Sequence, residues 1–166
     1  MPPNFCLGVV LKGKTLGIWG YGKIGQLVAG YGKAFGMKVL VWGRQASLDR
    51  AVQDGYEAAS SREAFFANSD VLSLHLRLND DTRGVVTLDD LSHMKTTAVL
   101  VNTSRAELIE TDALLSALNR GHPGLAAIDV FETEPILQGH ALLRLENCIC
   151  TPHIGYVEQD SYELYF

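Results

Sequence analysis

Gly20-Tyr21-Gly22-Lys23-Ile24-Gly25 sets three glycines at the spacing G-x-G-x-x-G, the pattern of a turn that closes its backbone on a pyrophosphate. The first glycine permits the tight turn, the second lets the main chain approach the phosphates, and the third lets a helix pack closely on the strand before it. Lys23 and Ile24 then open a helix whose unpaired N–H groups and partial positive charge favour an anion. Sharp turns that bind nothing carry the same glycines, so the flanking strand and helix give the pattern its meaning. An NAD site places Asp or Glu about 20 residues further on to bind the ribose 2′-hydroxyl, and Gly43-Arg44 stands there instead. Without a carboxylate a 2′-phosphate is not repelled, and a guanidinium can grip it, so NADP(H) is the expected preference. An arginine lying in solvent beside a cofactor held by other groups fits the same residues. Arg105, Glu134 and His153 fall at or just after the C-terminal ends of predicted strands, where open α/β sheets bind ligands. Singly they read as a surface ion-pair partner, the end of a loop and a turn residue; together, behind a dinucleotide turn, they form a catalytic candidate.

The elements that must position these residues follow from periodicity. Thr15–Trp19 and Lys38–Trp42 are short apolar strands, and Ile24, Leu27, Val28, Tyr31 and Phe35 recur at helical spacing between them. The lack of polar alternation in Lys38–Trp42 predicts a parallel strand covered on both faces. Helices follow near 61–68, 89–93 and 112–119, with strands at 71–74, 98–101, 125–129 and 148–150. This alternation predicts an α/β fold, a doubly wound parallel sheet of Rossmann type, with no internal repeat and no linker. Eight of the 16 glycines lie between positions 13 and 36. Gly30 and Gly32, inside the first helix, have no reason in the sequence and each cost about 1 kcal/mol relative to Ala.

Composition bounds the rest. A chain of 166 residues, 47% hydrophobic and 20% charged, suits one globular domain and excludes a disordered or collagen-like polymer. Its net charge of −5 offers no basic surplus for nucleic acid or an anionic membrane, so small molecules are the expected partners. Three cysteines make no disulfide framework, and with no apolar run of membrane-spanning length and no signal-peptide start the expected location is the cytoplasm. Cys148 and Cys150 point to one strand face, are expected in the core, and with His153 alone make a poor zinc site, so no metal is expected. His93, His122 and His140 show no partner pattern and are expected at the surface.

At the level of these motifs the chain resembles the D-isomer-specific 2-hydroxyacid dehydrogenases, from about Leu11 through Leu164. The resemblance rests on the run from Leu11 into the glycine turn and on Val71-Leu72-Ser73-Leu74-His75-Leu76, Val101-Asn102-Thr103-Ser104-Arg105, Ile128-Asp129-Val130-Phe131 and Thr151-Pro152-His153-Ile154-Gly155. The separations of 29 residues from Arg105 to Glu134 and 19 from Glu134 to His153 suit that family. The resemblance implies an NAD(P)-dependent oxidoreductase acting on small 2-hydroxy and 2-oxo acids. In it His153 is the general acid/base, Glu134 orients the imidazole and favours its charged form, and Arg105 binds the substrate carboxylate. Asp129 is implied as acceptor for the nicotinamide carboxamide. Cofactor contacts are implied for Gly20, Gly22, Lys23, Ile24, Gly25, Gly43, Arg44, His75, Thr82, Thr103, Ser104, Asp129, His153 and Gly155, with His75 a wall of the pocket rather than a catalyst.

Three departures bear on function. Arg77 stands where the family usually has Pro near the adenine, which alters that pocket or adds a phosphate contact, and Ala106 replaces the commoner Gly after Arg105. The whole of 1–166 reads as a dinucleotide-binding domain whose ends fall at the crossovers to a second, substrate-binding domain that this chain lacks, so it is expected to bind dinucleotide and turn over slowly or not at all. A homodimer formed through this domain is expected. A regulatory module that senses NAD(P)(H) without turnover is the competing reading, and the retained Arg105, Glu134 and His153 weigh toward the enzyme.

Overall fold

The computed structural model describes residues 8–160 and 163. Seven strands form one sheet: β1 (Thr15–Trp19), β2 (Lys38–Trp42), β3 (Glu57–Ala58), β4 (Val71–Leu74), β5 (Val99–Asn102), β6 (Leu125–Ile128) and β7 (Cys148–Cys150). Their order is β3-β2-β1-β4-β5-β6-β7 and every neighbouring pair is parallel, so all C-terminal ends lie along one edge. The chain reverses direction across the sheet between β1 and β4, which opens a crevice at the end of β1.

The helices are α1 (Lys23–Ala34), α2 (Gln45–Gln53), α3 (Arg62–Asn68), α4 (Leu88–Ser92) and α5 (Ala113–Arg120), with single 3₁₀ turns at Ala106–Leu108 and Ala141–Arg144. One core, from Leu16, Ile18, Val39, Val41, Ala29 and Ala51, lies under α1 and α2. The larger core gathers Phe65, Phe66, Leu72, Leu91, Leu100, Leu118 and Ile128 on the opposite face. The doubly wound sheet is therefore present, with strand and helix bounds shifted by a residue or two from the sequence reading. Helix α2 and strand β3 lie outside the sequence expectation; α2 is a mainly polar helix with Ala51 its one fully buried residue.

Cover is uneven. The face of β4–β7 beside the smaller core leaves Val99, Val101 and Ala127 half-buried, with Leu125 48% and Ile149 70% exposed. Cys148 and Cys150 do point to one side, their sulfurs 3.7 Å apart, but both are half-buried rather than enclosed, because β7 is the sheet's edge.

Helix α1 meets the sheet through small residues. Gly25, Ala29 and Gly32 are its buried positions, while Ile24, Leu27, Tyr31 and Phe35 are 60–66% exposed. The apolar stripe that reveals the helix in the sequence is thus not the face that packs on the sheet. Gly32 now has a reason: a Cβ there lies 2.5 Å from Leu16 Cδ2. A Cβ on Gly25 lies 2.2 Å from the Gly20 carbonyl oxygen, a backbone atom with no freedom to retreat. Gly30 faces open space, and nothing in the structure explains it.

The same substitution at these two positions has opposite outcomes. In denaturant unfolding, Gly30→Ala raises stability by up to about 1 kcal/mol through helix propensity. Gly25→Ala lowers it by about 1–3 kcal/mol through overpacking.

Candidate functional site

The glycine turn is built as its spacing implies. Gly20 sits at φ +102°, where an L side chain is strained, and a Cβ would stand 2.7 Å from the His75 carbonyl oxygen. Gly22 caps α1 with no side chain and has no atom within 4 Å of a Cβ position, so its outer side is open. The first helical bond runs from the Gln26 N–H to the Gly22 carbonyl, 3.0 Å, which leaves the N–H groups of Lys23, Ile24 and Gly25 ahead of the ladder. This is a cradle for a phosphate group, and the residues fit a dinucleotide. Tyr21, which the motif treats as any residue, is 2% exposed; its hydroxyl donates to Asp54 Oδ2 at 2.8 Å and its ring meets Tyr56 edge-on. Tyr21 thereby anchors the turn to the end of α2, and an aromatic between two glycines was the available signal. Gly43 and Arg44 follow β2 directly, and Arg44 caps α2, exposed, with no acidic residue in the helix's first turn.

The loops after β4 and β5 form the next stretch of the edge. His75 is half-buried, its Nε2 2.9 Å from Ser73 Oγ, and burial pulls its pKa below the ordinary histidine value. The Thr82 hydroxyl donates to the Arg77 carbonyl at 2.7 Å and accepts from the Asn79 N–H at 2.8 Å, so it organises its own loop. The Ser104 hydroxyl donates to the Leu76 carbonyl at 2.6 Å, tying the two loops together. Buried Asn102 holds both ends of the second loop, accepting from the Ser104 N–H at 3.0 Å and donating to the Arg105 carbonyl at 2.8 Å. Thr103 is exposed and the Arg105 guanidinium reaches solvent, with one donation to the Ser104 carbonyl.

At the β6 end His153 and Glu134 come together. Nδ1 of His153 lies 2.7 Å from Glu134 Oε2, while Glu134 Oε1 accepts the Phe131 N–H at 3.0 Å. The His153 hydrogen bond and then the Phe131 N–H hold the Glu134 carboxyl below the usual carboxylate range, with a smaller contribution from the charge of Arg105. His153 itself sits at φ +55°, a conformation non-glycine residues rarely adopt. Buried Asp129 holds it there: Oδ1 accepts from the Thr151 hydroxyl and, at 2.9 Å, the Ile154 N–H, and Oδ2 accepts the Gly155 N–H at 2.8 Å. Burial alone raises this carboxyl, but those three donors and the charge of His153 outweigh it and leave it depressed. A carboxylate offers about four acceptor sites, so one stays open beyond the three donors among the described residues. Gly155 is required here, since a Cβ would stand 2.9 Å from Asp129 Oδ2.

The three histidines expected at the surface are all half-buried and each has a hydrogen-bond partner. His122 is half-buried with Nδ1 2.7 Å from the Met94 carbonyl oxygen. His140 caps the second 3₁₀ turn through the Leu142 N–H and stacks edge-on against Phe131 at 5.3 Å. His93, also half-buried, meets the Asp89 carbonyl at 2.8 Å. Among the described residues no group of three or more His, Cys, Asp or Glu side chains could hold a metal ion.

A parallel sheet with a phosphate cradle at its switch point and an Arg, a Glu and a His at the same edge defines a dinucleotide-binding domain. The family described as D-isomer specific 2-hydroxyacid dehydrogenase, NAD binding domain, matches residues 2–155, and the chain belongs to that family. Glyoxylate reductase of Aeropyrum pernix is 44% identical over 159 residues, covering 96% of this chain and 47% of its own length. A Ralstonia solanacearum chain described as a D-3-phosphoglycerate dehydrogenase oxidoreductase superposes with a TM-score of 0.94 at 71% identity, over all of this chain and 48% of its own. A D-isomer specific 2-hydroxyacid dehydrogenase of Xanthobacter autotrophicus, solved with NADPH and MES, gives 0.76 at 28% identity, over 87% of this chain and 46% of its own. The chain thus spans about half the length of the curated relatives it matches.

Asp129 and Glu134 both titrate below their ordinary values of 3.8 and 4.5, so their stabilisation is complete above those values and is lost as pH falls through the folded-state values. Asp129→Asn sets amide donors against backbone N–H groups and costs about 1–3 kcal/mol at neutral pH. Denaturant midpoints followed from neutral to acid pH fall in the wild type, and the variant's acid limb is shallower.

Proposed function

We propose that this chain is the coenzyme-binding half of an NADP(H)-preferring dehydrogenase that interconverts small D-2-hydroxy acids and 2-oxo acids. The observation that carries the reading is the 2.7 Å contact of His153 with Glu134 on the sheet edge that also carries Arg105 and the glycine turn. The bound nicotinamide supplies or accepts the hydride. His153 Nε2 gives a proton to the 2-oxo oxygen in reduction and takes it back in oxidation; Glu134 at Nδ1 fixes the ring's direction and its tautomer. The Arg105 guanidinium pairs with the substrate carboxylate. The fourth acceptor site of Asp129 takes the nicotinamide carboxamide.

The preference for NADP(H) is supported by Arg44 beside a helix start that has no acidic residue, a setting that favours a 2′-phosphate. A homodimer through α1 is supported by the exposed row of Ile24, Leu27, Tyr31 and Phe35, which is costly to leave in water. No helix among the described residues is long and apolar enough to cross a membrane, and the unbridged thiols of Cys148 and Cys150 suit a reducing compartment, the cytoplasm.

Calorimetry tests the cofactor reading directly: NADPH binds more tightly than NADH, and Arg44→Ala weakens NADPH by about tenfold while NADH changes little. Equal affinities, or no uptake of either nucleotide by folded protein, overturn it. Light scattering finds a dimer that Leu27→Glu converts to monomer; a monomeric wild type refutes the α1 interface.

A further inference from the structure

Strand β7 carries two thiols that the reaction described above does not use. Cys148 and Cys150 alternate with Ile149, so their side chains share one face of the strand, and the sulfurs lie 3.7 Å apart. Among the described residues the two sulfurs bond only each other. Both pack against the larger core yet are half-buried on an edge strand, which leaves the pair within reach of a small solute.

The separation decides what can bridge them. A disulfide bond is about 2.05 Å long, and Cα atoms two residues apart on a strand, about 6.6 Å, already stand near the limit it tolerates. At the usual metal–thiolate length of about 2.3 Å, a linear two-coordinate ion needs sulfurs about 4.6 Å apart. An atom at that length from both sulfurs, at their present 3.7 Å, closes an angle of about 107°. Such an angle belongs to a tetrahedral or a pyramidal centre. Tetrahedral zinc asks for two further protein ligands, and among the described residues no group of three or more His, Cys, Asp or Glu side chains is assembled to supply them. A pyramidal trivalent centre needs one more bond, which it brings with it. Protonation points the same way. Burial, and then the neighbouring Cys150, push the Cys148 thiol up to about 12, so it meets a ligand as S–H. A bare cation has to expel that proton to solvent, whereas a hydroxylated centre carries it off as water.

We propose that Cys148 and Cys150 form a chelating dithiol site for trivalent arsenic, as arsenite or a mono-organic arsenous acid. Two S–H and two As–OH groups give two As–S bonds and two waters, with arsenic trivalent throughout and no electron transferred. The third substituent stays on arsenic. Cys150 is followed directly by Thr151, whose hydroxyl donates to Asp129, so the site adjoins the turn that carries His153. It does not depend on the coenzyme reading given above.

The test loads the reduced chain with phenylarsine oxide in an excess of 2-mercaptoethanol and counts what stays by native mass spectrometry. One equivalent is retained, because a single thiol gives the arsenical up to the monothiol while a chelating pair holds it through its high effective concentration. Dithiothreitol removes it. Cys6, the third cysteine, is the internal comparison. Cys6→Ser keeps the equivalent, while Cys148→Ser and Cys150→Ser each weaken retention by about a hundredfold or more. Circular dichroism shows that each variant is folded. Loading also raises the wild-type denaturation midpoint, since the folded strand presents the sulfurs at bridging distance and the unfolded chain does not. No retention against the monothiol, retention that survives in either Cys148→Ser or Cys150→Ser, or a midpoint unchanged or lowered overturns the proposal. Zinc held more tightly than the arsenical assigns the pair to a metal ion and also overturns it.

Discussion

Asp129 keeps its charge where burial works against it, and the donors that make this possible, Thr151, Ile154 and Gly155, surround His153 in sequence. The carboxylate stands just past the end of β6, a strand paired on both sides, by β5 and β7, in the parallel sheet. Through it the sheet fixes the turn that forces His153 into a left-handed backbone conformation, and that conformation brings the imidazole to Glu134. Strain at one residue is held by three hydrogen bonds to a charged acceptor, each stronger than a neutral one.

The other candidate site elements are placed by the same device, polar groups at strand ends that reach across to the neighbouring loop. Asn102 at the end of β5 holds the backbone of Ser104 and Arg105, and Ser104 in turn holds Leu76. Parallel register puts these ends side by side, so each loop braces the next and the edge behaves as one surface. The glycine turn joins it through backbone alone, since Gly20 stands against the His75 carbonyl and Gly25 against Gly20. No side chain fits in that sequence of contacts, which is why the motif demands glycine rather than merely a small residue.

The exposed positions follow a different logic. Helix α1 gives its small residues to the sheet and its large apolar ones to solvent, an inversion of the usual amphipathic arrangement. Close packing of helix on strand sets the nucleotide turn, and the large side chains are left exposed. Half of one sheet face is likewise thinly covered over β4 to β7. Both features belong to a chain that matches about half the length of its relatives.

The sequence by itself determined the alternation of strand and helix, the phosphate turn and the set of Arg105, Glu134 and His153, because strand hydrophobicity, glycine spacing and motif order are local properties of a chain. It left α2 and β3 unmarked, since a mainly polar helix with one fully buried residue and a two-residue strand offer few apolar positions to read. Only the tertiary structure decided which face of α1 is buried, what Gly32 is for, that Tyr21 locks the turn to Asp54, and that Asp129 shapes the histidine turn. Each of these depends on distances between residues far apart in the chain.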